Sequence, residues 1–220
     1  MYKEIILLTM SRKKGGFCTT GIDIKTGNWV RIVSDNESIQ HAVTHDDMVY
    51  EDESMPQIMD IIKIKCKKYF PNYYQPENYV LNNSYYWEKT GQASIKELLQ
   101  IHPSEKMPFI FHDTDRCISG TFLKNINEED RHSLILILPE DVCIHVQEFP
   151  EKKKVTLSFN YNGNRYRYMS ITDTEFENTY LQYQKGNYKY NQDCLLVISL
   201  GDIHTDQMHY KIIAKVLNAD

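Results

Sequence analysis

The sequence lacks the features that identify membrane, secreted disulfide-rich and zinc-ribbon proteins. No window approaches the ~20 apolar residues of a membrane span, and the apolar run Ile5–Met10 is too short for a signal peptide. The five cysteines are an odd number without any C-x-x-C spacing, so neither a disulfide framework nor a zinc ribbon is indicated. We therefore expect a protein that starts near Met1, stays in the cytoplasm, contacts no membrane and keeps its cysteines reduced.

The motifs of common enzyme classes are also absent. The chain contains no G-x-x-x-x-G-K-[ST], G-x-G-x-x-G, G-x-S-x-G or H-E-x-x-H, which are the devices of nucleotide hydrolysis, dinucleotide chemistry, common esterases and zincins. His41 and His45, followed by Asp46 and Asp47, would share one helical face and suit a divalent metal. The segment is strongly acidic, which favours a solvated loop. We predict a non-catalytic protein without cofactor or metal site, with a metal-dependent nucleic-acid-processing enzyme as the alternative.

Tyrosine is abundant, with 16 residues against 9 glycines, and this composition favours β-sheets. A chain of 220 residues has room for one large or two small domains, and we expect two. The net charge of −5 conceals a blocky distribution, because residues 1–34 carry a local charge of +4 whereas residues 35–60 hold eight acids and no Lys or Arg. A local basic groove is therefore compatible with the acidic total.

The N-terminal segment combines cations, a thiol and an aromatic residue within one predicted meander. Turns at Lys14-Gly15-Gly16 and Lys25-Thr26-Gly27-Asn28 separate its strands. The three predicted strands are Ile5–Met10, Phe17–Ile24 and Asn28–Val33. Because side chains alternate along a strand, Trp29 and Arg31 share one face, and an indole beside a guanidinium suits stacking plus anion binding. The alternative is that Trp29 lies in the core and Arg31 reaches solvent.

The remaining chain also has mainly strand patterns. Asp60–Phe70 alternates strictly and predicts a half-buried strand, and Ser94–Ile101 predicts a short helix with a capping box. Asn162-Gly163-Asn164 predicts a hairpin turn. The second half contains six further predicted strands: Leu134–Leu138, Val142–Phe149, Lys154–Tyr161, Arg165–Ile171, Cys194–Leu200 and His209–Leu217. About five strands per half suit two small barrels. We place the domains at residues 1–112 and 113–220, with His112–Arg116 as their connector.

Several stretches carry a family resemblance: S-R-K-K-G-G-F-C-T-T-G-I-D at Ser11–Asp23, W-V-R-I-V-S at Trp29–Ser34, Y-Q-P-E-N-Y at Tyr74–Tyr79, S-L-G at Ser199–Gly201 and H-Y-K at His209–Lys211. Together they resemble the dual OB-containing domain proteins of prokaryotes over nearly the whole chain. The resemblance implies a β-dominated fold of two tandem OB-like barrels with one or two short helices. It also implies binding of nucleic acid or a nucleotide-like ligand, in genomic settings linked to conflict with phages or mobile elements.

OB barrels bind oligonucleotides on the face of their second and third strands and in the adjacent loops. Aromatic side chains stack on bases there and cations neutralise phosphates. The predicted ligand-binding residues are Arg12, Lys13, Lys14, Phe17, Cys18, Trp29, Arg31, Gln75, Glu77 and Asn78. The expected partner is single-stranded nucleic acid or a nucleotide-like small molecule, and an interaction scaffold for partner proteins is a further alternative.

Alternatives remain open within this set. Pro76 restrains Tyr74–Asn78, so that its amides and carboxylate are placed to read a base edge, but the pattern slightly favours a loop whose side chains satisfy its own backbone. For Cys18, core packing is favoured over a nucleophilic role. On this interpretation Arg31→Ala reduces the salt dependence of binding, whereas Trp29→Ala weakens binding without changing that dependence.

Overall fold

The predicted N-terminal meander is present in the computed structural model, which describes residues 1–219. Its strands are β1 (Tyr2–Lys13), β2 (Gly16–Asp23) and β3 (Trp29–Val33), and they pair antiparallel in chain order. The turns between them contain Gly15 and Gly27, whose φ angles are +76° and +69°. Glycine adopts such angles without steric cost, so the conformation of each turn depends on its glycine.

Two further strands close this meander into a five-stranded barrel. They are β4 (Asp60–Tyr69) and β5 (Asn78–Leu81), and the barrel order is β1-β2-β3-β5-β4, with β4 paired back to β1. β3 and β5 run parallel, whereas the other neighbours are antiparallel. The alternation in β4 is confirmed, because Ile62, Ile64 and Cys66 are almost fully buried in the barrel core.

The first barrel carries two short additional elements. β6 (Glu88–Gln92) pairs with β4, and α1 (Ile95–Ile101) follows it. The predicted capping box is confirmed, because Ser94 Oγ accepts a hydrogen bond from the Glu97 main-chain N–H at 3.2 Å and the Glu97 carboxylate accepts one from the Ser94 main-chain N–H at 2.7 Å. These bonds satisfy main-chain donors that the helix itself leaves unpaired. A 3-10 turn at Glu37–Ile39 lies between β3 and β4.

The second half contains a second β-sheet. Its strands are β7 (Cys117–Ser119), β8 (Leu134–Ile137), β9 (Glu140–Phe149), β10 (Lys152–Tyr161), β11 (Asn164–Ile171), β12 (Gly186–Lys189), β13 (Cys194–Ile203) and β14 (Met208–Asn218). The sheet order is β12-β9-β10-β11-β14-β13-β8, with β11 and β14 parallel and β7 paired with β14. The series β9-β10-β11-β14-β13 therefore repeats the strand order of the first barrel. Among the described pairings, only the first sheet closes on itself.

The predicted fold class and the six second-half strands are confirmed, and the helix count needs correction. Residues 1–219 contain three α-helices rather than one or two, because α2 (Gly120–Asn125) and α3 (Thr174–Leu181) join α1. A 3-10 turn lies at Glu128–Asp130. α3 has no fully buried residue, so the apolar periodicity that reveals a helix in sequence is weak there. The predicted hairpin turn is confirmed, since Asn162 and Gly163 both have positive φ.

The chain separates into two compact units, Met1–Pro103 and Ser104–Asp220. Residues 104–112, which we expected in the first domain, belong to the second of these units. The main-chain N–H of Met107 donates to the Tyr161 hydroxyl at 2.7 Å, and that of Ile110 donates to the Tyr166 hydroxyl at 2.9 Å. The limits of independently folding domains stay a prediction.

Asp60, at the start of β4, supports a prediction on acid stability. Its buried carboxylate accepts hydrogen bonds from the Tyr50 hydroxyl (2.8 Å) and the Gln57 main-chain N–H (2.9 Å), and it lies 2.6 Å from Lys89 Nζ. Burial alone would raise the pKa of Asp60, but these partners outweigh it and hold the pKa below its ordinary value. A depressed pKa stabilises the fold above the unfolded pKa of about 3.9, and this contribution is lost as pH falls through the folded pKa.

We therefore expect Asp60→Asn to lower the free energy of unfolding at pH 7 and to flatten its decline between about pH 5 and 2. Chemical denaturation at each pH measures both effects. Asp46→Asn, on an exposed loop, is the matched control and should retain the wild-type profile. An unchanged acid slope in Asp60→Asn would contradict the assigned role of this carboxylate.

Candidate ligand-binding face of the first barrel

Arg31 lies at the centre of a buried polar cluster on β3. Only 2% of its surface is exposed. Its Nη1 lies 2.6 Å from Cys18 Sγ on β2, and its Nη2 lies 3.4 Å from Glu77 Oε1. The main-chain N–H of Arg31 also donates to the carbonyl oxygen of Glu77 at 2.9 Å. Both the side chain and the main chain of Arg31 therefore hold the loop that carries Glu77.

That loop comprises residues 70–77 and joins β4 to β5. The parallel pairing of β3 with β5 places Asn78 opposite Arg31, which brings the end of the loop to this face. Asn72 Oδ1 accepts hydrogen bonds from the main-chain N–H groups of Tyr74 (3.0 Å) and Gln75 (2.8 Å), a turn that asparagine favours. Asn78 Nδ2 donates to Gln75 Oε1 at 3.3 Å, and both side chains are buried. The loop is thus ordered by its own side chains as well as by Arg31.

The basic residues lie at the opposite end of β2 and β3 from this loop. Arg12 pairs with Phe17 and Lys13 pairs with Gly16 at the end of the β1–β2 hairpin, and Lys14 lies in its turn. Arg12 and Lys14 are exposed, whereas Lys13 is half-buried. Phe17 packs against the barrel core, so its ring is part of the interior rather than an open stacking surface. The positive charges of the hairpin therefore lie close in sequence to Cys18, which follows Phe17 on β2.

Trp29 packs against a residue that the sequence analysis did not select. Its ring meets the His102 ring edge-on with 5.3 Å between centroids, and His102 Nδ1 lies 2.8 Å from the Gly27 carbonyl oxygen. His102 caps the C-terminus of α1. No sequence signal links it to Trp29, because only the position of α1 on the barrel brings the two rings together.

The structure thus brings five of the ten predicted residues together and places the other five elsewhere on the first barrel. Cys18, Arg31 and Glu77 form one bonded cluster, and Gln75 and Asn78 extend it along the loop. The guanidinium is already paired with a carboxylate, as buried arginines usually are. In this conformation Arg31 positions Glu77 and Cys18, and exposed charge is supplied by the β1–β2 hairpin.

The other thiols have the character of packing residues. All five cysteines are free. Burial raises the pKa of Cys66 and of Cys194 to about 11, so both remain protonated near neutral pH. Burial also raises the pKa of Cys117. Cys18 is distinguished from these by its contact with a guanidinium.

His41 and His45 lie on a loop, which is the structure that the acidic composition of this segment favoured, and they do not share a helical face. The only helical turn in the segment is Glu37–Ile39. His41 Nδ1 bonds to the Ser34 carbonyl oxygen at 3.0 Å, whereas His45 Nδ1 lies 3.5 Å from a carboxylate oxygen of Asp46. Across residues 1–219, no group of three or more His, Cys, Asp and Glu side chains is arranged to hold a metal ion.

Within residues 1–219, no helix is long and apolar enough to cross a membrane.

The aromatic and basic residues of β11 depart from strict alternation. Tyr166 is 1% exposed and stacks with Phe159, with 5.6 Å between ring centroids. Tyr168 is 46% exposed and has a φ of +53°, and the β10–β11 register shifts between Leu157 and Phe159. A β-bulge of this kind turns a side chain to the other face. Tyr168 therefore lies outside, on the exposed side with Arg167, rather than beside Tyr166.

Comparison with protein-family models supports the arrangement of the strands. The model of the dual OB-containing domain matches residues 3–216. Comparisons with curated proteins and with solved structures gave no match. In an OB fold the ligand lies on strands 2 and 3 and between their flanking loops, which correspond here to β2, β3, the β1–β2 hairpin and loop 70–77.

Proposed function

Because the chain belongs to the dual OB-containing domain family, we propose that this OB-fold binding module engages single-stranded nucleic acid or a nucleotide-like ligand. The observation that carries the proposal is the bonded set of Cys18, Arg31 and Glu77 on the β2–β3 face. This face lies between a basic hairpin and an ordered loop, where OB folds receive their ligands. The positive charge of the β1–β2 hairpin suits a phosphate, and the hydrogen-bonding groups of loop 70–77 suit a base.

Each part of the face has a distinct proposed role. Lys13 and Lys14 attract the phosphate backbone, and the Trp29 ring provides an aromatic surface for a base. Arg31 is a positioning residue, because it holds Glu77 through both its main chain and its guanidinium. Glu77 and Asn78 provide acceptor oxygens at the loop end of this face for the polar edge of a base. This assignment replaces direct phosphate contact by Arg31, whose guanidinium is buried.

The first test measures binding of a fluorescent oligo(dT) strand, an oligo(U) strand and free nucleotides at several salt concentrations. For a strand, removing one phosphate contact should reduce the slope of log affinity against log salt by about 0.7. We expect Lys14→Ala to reduce the slope by about this amount and Lys13→Ala to act in the same direction. Lys96→Ala, an exposed lysine on α1, is the matched control and should leave the slope unchanged. Binding of none of these ligands by the wild-type protein would contradict the proposed function.

We also propose that the protein acts in the cytoplasm, in conflict with phages or mobile elements. The support is the resemblance of its N-terminal motifs to proteins from such settings. Phage plaque counts on cells with and without the gene measure this role, and Lys13→Ala with Lys14→Ala should reduce any protection. Equal plaque counts across a broad phage panel would contradict it.

A further inference from the structure

Two histidines of the second unit, His112 and His132, lie close together with unsatisfied nitrogens. Their ring centroids are 5.4 Å apart. The Nε2 atom of each ring is shielded from solvent, and neither atom has a hydrogen-bond partner among the described residues. His112 belongs to the segment His112–Arg116, which we predicted to connect the two domains. Buried polar atoms in native proteins nearly always bind protein groups, water or an ion, so this pair calls for an occupant.

The tautomer of His132 is set by its main-chain contact. His132 Nδ1 lies 3.0 Å from the carbonyl oxygen of Asp130. Because a carbonyl only accepts, Nδ1 carries the proton and Nε2 of the neutral ring carries a lone pair. Metal-binding histidines are oriented in this way, since the nitrogen that does not bind the metal commonly donates to a main-chain carbonyl.

The surroundings of the pair are mainly aromatic. The Phe111 ring lies 5.4 Å from the His132 ring, and the Phe122 ring meets the His112 ring edge-on at 5.3 Å between centroids. The charged groups near His112 are Asp113, Asp130 and Lys211. The Lys211 ammonium is held by Asp113 at 2.7 Å, so its charge is largely compensated. The aromatic rings therefore shield the site from water. Because Asp113 compensates the charge of Lys211, the site does not repel a cation.

We propose that His112 and His132 together bind one transition-metal ion of the class that prefers imidazole, with Zn²⁺ and Cu²⁺ as its representatives. Two imidazoles that share a tetrahedral Zn²⁺ at Zn–N distances of about 2.0–2.1 Å have ring centroids roughly 5 Å apart, close to the separation in this pair. Residues 1–219 contain no group of three or more ligating side chains, so water or a small ligand completes the coordination. Cu²⁺ binds tighter than Zn²⁺, as the usual order of divalent metals requires.

Untagged, chelator-treated protein titrated with Zn²⁺ and with Cu²⁺ tests the proposal by calorimetry. We expect one equivalent to bind, and His112→Gln or His132→Gln to weaken binding by roughly tenfold or more. His45→Gln and His204→Gln, at exposed histidines, are matched controls and should retain wild-type affinity. Thermal melts without metal establish that each variant is folded.

Electron paramagnetic resonance of the Cu²⁺-loaded protein provides a second readout, which counts the coordinating imidazoles directly. Coupling to two imidazole nitrogens is expected, and His132→Gln should leave one. Absence of stoichiometric binding, coupling to a single imidazole, or equal affinity in the His112→Gln/His132→Gln double variant would each overturn the proposal. Because these measurements use no nucleic acid, their outcome is independent of the function proposed for the first barrel.

Discussion

Arg31→Ala is expected to lower the free energy of unfolding of the first unit by about 3–5 kcal/mol. The substitution removes a guanidinium that is 2% exposed and leaves the Glu77 carboxylate, also almost fully buried, without its ion pair. A buried charge that loses its partner keeps its desolvation penalty, which is why the loss is large. Both tryptophans, Trp29 and Trp87, lie in the first unit, so urea denaturation followed by tryptophan fluorescence reports on this unit alone.

Two comparisons isolate the ion pair. Lys96→Ala is the control, because Lys96 is an exposed cation of the same unit and its removal should change stability by less than about 0.5 kcal/mol. In a double-mutant cycle, Arg31→Ala with Glu77→Gln should cost less than the sum of the two single changes. Additive losses, or a fully stable Arg31→Ala protein, would contradict the described ion pair between Arg31 and Glu77.

Trp87→Ala is expected to destabilise the first unit by about 3–5 kcal/mol, through loss of buried area and formation of a cavity. Trp87 is 2% exposed and packs in the barrel core with Met48, Ile62 and Leu81. The fluorescence of Trp29 remains as the reporter of unfolding in this variant.

The neighbouring residue provides a matched control for this prediction. Tyr86 precedes Trp87 in the chain but is 61% exposed, so Tyr86→Ala should change stability by less than about 0.5 kcal/mol. The contrast tests the register of this segment, since a shift by one residue would exchange the two side chains. Equal losses in the two variants would contradict the described packing.

Elements with local physical signals could be predicted from the sequence. The alternation of Asp60–Phe70 follows from the period of a strand, and it matches β4 closely. The capping box of Ser94 and Glu97 joins residues three positions apart, and the Asn162-Gly163 turn depends on residues that tolerate positive φ. In each case a few neighbouring residues carry the free energy that determines the conformation.

The candidate site depended on contacts that no local pattern encodes. Arg31 and Glu77 lie 46 positions apart, and they meet because β5 pairs in parallel with β3. Alternation correctly put Trp29 and Arg31 on one face, but it does not tell whether that face is open or covered. For the same reason the inward position of Phe17 and the contact of Trp29 with His102 were not predicted.

The sequence by itself determined that this protein is β-dominated, because strand period, turn chemistry and helix capping act over short stretches of chain. Its motifs added the resemblance to dual OB-containing proteins, from which the two OB-like units were expected. Only the tertiary structure decided that Arg31 is buried with Cys18 and Glu77, and that His112 lies beside His132. The physical reason is that burial and pairing depend on which distant segments cover a face, and that depends on the packing of the whole unit.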